Sequence, residues 1–85
     1  MPVIEAPAGA WTAIPDSGAD QIIEAREKGL YVDTSGALLI ANAAQGYALA
    51  AGMAMVVSAA IFTANTVQVT PANTIKAASV RHSNV

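Results

Sequence analysis

Cysteine is absent from the 85 residues, and His82 is the only histidine. No disulfide can form, and His82 alone cannot build a metal site with the usual Cys/His spacing. Four Lys and Arg stand against six Asp and Glu, and a formal charge of −2 leaves no electrostatic footprint for nucleic acid. From Thr34 to Ile75 charge is missing altogether: Glu5, Asp16, Asp20, Glu24, Glu27, Asp33, Arg26 and Lys28 precede that stretch, and Lys76, Arg81 and His82 follow it. A domain of this length buries only roughly 60–65% of its unfolded surface. Without disulfide or metal, oligomerisation is the remaining source of extra stability.

The uncharged half of the chain admits two readings. Residues 43–62 could span a bilayer, which takes about 20 residues, with Gln45 and Ser58 as polar side chains. The residue types argue against this: much of the window is Ala and Gly, nearly neutral on insertion scales, with no Lys/Arg cluster beside it and no aromatic pair marking both interfaces. The other reading is β-structure. Large side chains fall on odd positions (Tyr47, Leu49, Met53, Met55, Val57, Ile61) and small ones on even positions (Ala48, Ala50, Gly52, Ala54, Ser58, Ala60), with Val56 and Phe62 the exceptions. Period 2 sends the two sets to opposite faces of a strand. A helical stripe through Leu49, Met53, Val56 and Ala60 also exists. The β-branched alternation Thr66-Val67-Gln68-Val69-Thr70, closed by Pro71, favours strands. The Ala-rich face is expected to be a subunit contact, because an uncharged face of small side chains lets another layer approach and is costly to leave in water.

Residues 1–15 read as an extended N-terminal arm: Pro2, Pro7 and Pro15 fix φ and remove backbone donors, and Gly9 loosens the rest. No basic segment followed by an apolar run marks a secretory signal. Within the arm, Trp11-Thr12-Ala13-Ile14 is β-prone, and the lone Trp reads as a core or interface anchor. Residues 17–29 fit a helix, with Ser17 and Asp20 at its start, Gly29 at its end and a Glu24–Lys28 pair. They fit equally a strand from Gln21 that turns back at Glu27-Lys28-Gly29 into Leu30-Tyr31-Val32, and this reading is preferred. Leu30-Tyr31-Val32 and Ala37-Leu38-Leu39-Ile40 flank Asp33-Thr34-Ser35-Gly36, whose Asp and Gly suit a type I turn closing a hairpin. Residues 42–46 read as a loop, Asn65-Thr66 and Pro71-Ala72-Asn73 as turns, 74–80 as a last strand and 81–85 as a polar tail with His82 in solvent. Short strands with regular turn signals predict a mainly β fold, a small antiparallel β-sandwich or barrel over 16–82, between the arm and a tail over 83–85.

Chemistry is sparsely marked. Asp16-Ser17-Gly18-Ala19-Asp20 resembles the Asp-Ser/Thr-Gly-Ala-Asp signature of retroviral-type aspartic proteases, short chains that act as dimers. That resemblance implies Asp16 as a catalytic carboxylate sharing a proton with its symmetry mate. Pro15 stands where that family has an apolar strand residue, and no apolar pair followed by Gly supports the loop later in the chain, so a plain loop is expected. Asp16, Asp20 and Glu24 at i,i+4 spacing read as solvated charges. Gly46 and Gly52 lack the Lys-Ser/Thr of a phosphate loop. The chain is expected to be no enzyme, with no catalytic residue, cofactor or metal.

The run Ala10-Trp11-Thr12-Ala13-Ile14, the short strands leading to Gly46-Tyr47-Ala48-Leu49-Ala50-Ala51-Gly52 and the Thr/Val-rich last segment resemble small bacteriophage virion proteins, compact β-rich subunits that decorate capsids or sit at the tail. The resemblance implies a structural subunit located in the virion. It would be a homo-oligomer that also contacts a major capsid or other virion protein, with the N-terminal arm reaching over a neighbour. Neither nucleic acid nor a membrane is expected as a partner. Trp11, Ile14, Ala48, Ala50 and Ala54 are the expected interface residues. The alternative is a small holin-like membrane protein with a spanning helix near 43–62, and the remote one is the protease.

Overall fold

Eight strands form two four-stranded antiparallel sheets, stacked as a small β-sandwich in a computed structural model that describes residues 2–85. The strands are β1 (Val3–Ala6), β2 (Thr12–Ala13), β3 (Gln21–Ala25), β4 (Leu30–Asp33), β5 (Tyr47–Leu49), β6 (Ala54–Val57), β7 (Gln68–Pro71) and β8 (Ala78–Asn84). One sheet has the order β1-β8-β3-β6, the other β2-β7-β4-β5. The same neighbours recur in both layers. β3 pairs with β6 while β4 pairs with β5, β3 with β8 while β4 with β7, and β1 with β8 while β2 with β7. Each of four chain segments therefore starts in one sheet and ends in the other. The protein is a four-stranded antiparallel ribbon folded double.

The folds in the ribbon have local causes. Between β5 and β6, Met53 N–H donates to Ala50 C=O (2.9 Å), closing a turn whose third residue, Gly52, has φ +83°. A Cβ there would meet nothing, so it is the positive φ that calls for glycine. Gly52 N–H also donates to Ala25 C=O (2.7 Å) while Ala25 N–H donates to Met53 C=O (2.9 Å). Two residues thus oppose one, a bulge that bends the strand from one layer into the next.

Period 2 sorts the core. Ile23, Ala25, Val57, Ala78 and Val80 from one sheet meet Leu30, Val32, Leu49 and Val69 from the other, all buried, with Met55 and Ile4 partly buried against them. The open side, opposite the bends, is closed by the connections 14–20 and 58–67, the second carrying the short helix α1 (Ala59–Ala64). Ile14, Phe62 and Val67 are buried there. The two connections bond to each other: Ile14 N–H donates to Val67 C=O (2.8 Å), and Ala59 N–H donates to an Asp20 carboxylate oxygen (2.8 Å).

Several local expectations change. β3 and β4 both form, but the chain bends between sheets at 26–29 and does not close a hairpin there. Residues 37–40 are not a strand: β4 pairs with β5, and Ile40–Gln45 is a 3-10 helix. The cause is Asp33, whose carboxylate takes donors from Ser35 and Leu38 and curls the chain away from the ladder. Ile61 and Phe62 lie in α1, so the alternation of residues 47–57 does not extend to them. Residues 74–76 lie outside any strand, and the expected polar tail is the end of β8, which runs to Asn84 in the middle of its sheet. His82 is correspondingly buried, not in solvent. Residues 43–62 divide among the 3-10 helix, β5, β6 and α1, and no helix among the described residues is long and apolar enough to cross a membrane. Residues 3–6 and 12–13, within the expected arm, form the outer strands β1 and β2.

Candidate functional site

An antiparallel ladder turns alternate residues' backbone groups toward and away from a given neighbour. The bond from Ala25 N–H to Met53 C=O, with the register Ile23↔Met55 and Gln21↔Val57, puts the odd residues of β6 toward β3. The N–H and C=O of Ala54 and Val56 therefore point outward. On the other layer, Ala72 N–H donates to Gly29 C=O (3.0 Å), which assigns the odd residues of β4 to β7 and leaves Leu30 and Val32 to bond β5. The backbone of Ala48, opposite Tyr31, then points outward as well. Ala48, Ala54 and Val56 thus line a free edge formed by one stretch of chain that serves both sheets.

The side chains on this edge are apolar and exposed. Val56 is 60% exposed, Tyr47 59% and Met53 51%, and Ala48, Ala50 and Ala54 are exposed too. Ile22, half-buried, stands beside Val56 on the outer face of β3. Leu39 and Ile40, both exposed, extend the apolar surface into the loop that joins β4 to β5. The nearest ionic pair on the same face is Glu24, opposite Ala54, with Arg81 at 3.4 Å. Both partners are about one-third exposed, and such pairs contribute at most about 1 kcal/mol.

The loop carrying Leu39 and Ile40 is anchored by Asp33. One carboxylate oxygen accepts from Ser35 N–H (2.9 Å) and Ser35 Oγ (2.7 Å), the other from Leu38 N–H (3.1 Å) and Gln68 Nε2 (2.8 Å). Burial alone would raise the carboxyl's affinity for a proton, but these donors outweigh it and hold its pKa below the ordinary 3.8. Where the loop rejoins β5, Gly46 packs on the backbone: a Cβ would lie 2.8 Å from Val32 C=O.

At the closed mouth, Gln21 is buried and its Nε2 donates to Pro15 C=O (2.8 Å). That fixes the amide so that Oε1 faces His82 Nδ1 at 3.1 Å, and Nδ1 carries the proton. The protease-like run has structural partners: Asp16 accepts from Gly18 N–H (2.8 Å), Ser17 Oγ donates to Asn84 Oδ1 (2.6 Å), and Asp20 holds Ala59. Among the described residues no pocket opens, and no three of His, Asp and Glu stand together as metal ligands.

Of the expected interface residues, Ala48, Ala50 and Ala54 share the free edge, whereas Ile14 is buried in the chain's own core. Trp11 is half-buried just before β2, at the opposite edge, with its Nε1–H buried and without a protein acceptor. Val56, Tyr47 and Met53, exposed on the same edge, are not among the expected residues. Val56 broke the odd/even size alternation, and a large apolar residue on the small face was the signal available. Comparison with protein-family models, curated proteins and solved structures returned no match.

Proposed function

We propose that this protein is a structural subunit of a bacteriophage particle, decorating or cementing the capsid, and that it assembles through the free edge of β5 and β6. One observation carries the assembly reading. A single stretch of chain supplies the edge of both sheets, presents outward backbone groups at Ala48, Ala54 and Val56, and surrounds them with exposed apolar side chains and no charge of its own. An edge of that kind is a template for pairing with another chain. The resemblance of the sequence to small virion proteins adds the particle. Residues 3–6 and 12–13 are already paired with β8 and β7, so the contact is assigned to this edge and not to the N-terminal arm.

The test of assembly is native mass spectrometry over a concentration series, with melting followed in parallel. An oligomer whose melting temperature rises with concentration is expected, because association stabilises the folded state by mass action. Ala54→Lys should yield a folded monomer. A wild-type monomer at high micromolar concentration, with concentration-independent melting, would overturn the reading. For the particle, antibody labelling of purified virions should decorate the head surface, and unlabelled particles that lack the protein would count against it.

A further inference from the structure

We propose that β6 pairs with β6 of a second copy, antiparallel, about a twofold axis through Met55. This rests on the assembly reading above and names its partner and register. The outward N–H and C=O groups of Ala54 and Val56 lie two residues apart with Met55 between them. Rotation about Met55 sets Ala54 opposite the copy's Val56 and Val56 opposite the copy's Ala54. Each such pair exchanges two hydrogen bonds, so every outward group of the strand finds its complement. An isologous contact needs self-complementarity of this kind.

Neighbouring registers fail. An axis at Ala54 would bring Val56 opposite Gly52, which has φ +83° and sits in the bulge. An axis at Val56 would bring Ala54 opposite Ser58, the N-cap residue outside β6 at which the chain turns into α1. Only the Met55 register keeps both bonded pairs within residues of β6. It also matches sizes on the outer face, where each small Ala54 receives the larger Val56 beside Ile22.

Charge permits a second copy. Among the β3 residues paired with β6 the one charged group is Glu24, already 3.4 Å from Arg81, while Asp20 lies past the end of β6 and is held on Ala59 N–H. In the dimer the two Glu24 side chains are separated by three strand spacings, about 14 Å, beyond the Debye length of about 8 Å at physiological salt. The resulting sheet has eight strands and ends on β1 at both sides. There Glu5 and the neighbouring Pro7 guard the edge, so growth through this sheet stops at two.

The absence of native cysteine makes the test clean. Met55→Cys places two sulfurs in a non-hydrogen-bonded antiparallel pair, Cα atoms about 4.5 Å apart, which is within disulfide reach. Under mild oxidation Met55→Cys should give a covalent dimer in near-complete yield, and Ala54→Cys alone should not, its mate lying two residues out of register. An equimolar mixture of Ala54→Cys and Val56→Cys should cross-link as the mixed dimer. A wild type that is oligomeric while neither Met55→Cys nor the mixture cross-links would overturn the strand pairing and leave the assembly reading standing. A wild type that is monomeric at every concentration would remove both. Val56→Pro is the independent check, because it deletes an outward N–H that the ladder to β3 does not use. It should keep the β circular-dichroism spectrum and run as a monomer, and a Val56→Pro dimer would overturn the pairing.

Discussion

Along one side of the sandwich the outer strands β1 and β2 carry Glu5 and are followed by Pro7 and Pro15; along the other, β5 and β6 carry neither charge nor proline. The ladder parity sharpens the contrast. His82 N–H donates to Pro2 C=O, so the odd residues of β1 face out, and Pro7, next in that outward series, has no N–H to offer. Ile14 N–H donates to Val67 C=O, which likewise puts Ala13 and then Pro15 on the outward series of β2. Prolines and charges are what soluble sheets use to blunt their edges. The same chain uses them on one side and omits them on the other, so the bare side is better read as an interface than as neglect.

Five interventions sharpen or break that contrast. The largest effect is expected from Asp33→Ala, which removes the anchor of the loop leading into the bare edge. Orphaning the Ser35, Leu38 and Gln68 donors should destabilise the fold by about 3 kcal/mol, measured by urea denaturation. The same carboxylate gives a pH signature. Its folded pKa is depressed, so its contribution is complete above the ordinary value of 3.8 and is lost as pH falls through the lower folded value. Asp33→Asn should remove that acid-dependent component of stability.

Guarding the bare edge comes next. Val56→Lys should weaken association about 100-fold, equivalent to about 2.8 kcal/mol, in sedimentation while leaving monomer unfolding within about 0.5 kcal/mol of wild type. Stripping the guarded edge should do the converse: Glu5→Val with Pro7→Ala is expected to produce species larger than the wild-type assembly, visible by light scattering. The smallest effect belongs to Glu24→Gln. An exposed pair of this kind contributes at most about 1 kcal/mol, so stability and association should both be nearly unchanged.

The legible part of the sequence was the part that depends on near neighbours. Of the large odd residues in the size alternation, Leu49, Met55 and Val57 turn inward on β5 and β6 while Tyr47 and Met53 are exposed, and Pro71 ends β7 as expected. Asp33 and Gly36 read as turn residues, and both serve there, with Gly36 at φ +71°. Partner choice was not legible. The sequence pairs Leu30-Tyr31-Val32 with the nearest apolar run, whereas in the fold Tyr47-Ala48-Leu49 pairs with it across the loop, because one carboxylate's hydrogen bonds outweigh proximity in the chain. The Arg81-His82-Ser83 stretch looked like tail because it is polar. It lies in a central strand because His82 finds Gln21 sixty-one residues away, Arg81 finds Glu24, and Val80 carries the apolar share of the burial. Ala48 and Ala54 could be assigned to one face from period 2, but that this face ends at a free edge is a property of sheet order, which no local pattern encodes.

The position of β8 constrains how the chain comes off the ribosome. Within this sandwich the strand latest in chain order, β8, sits between the earliest, β1, and β3, so this sheet has no centre until residues 78–84 emerge. β7 emerges earlier and completes the other sheet beside β4 and β2; before that, the longest locally closed unit is the hairpin of β3–β4 with β5–β6, and an isolated two-stranded hairpin is marginal in water. Its uncharged outer strand is meanwhile exposed to every other nascent copy. The closing event joins residues almost a full chain length apart, a topology that folds slowly.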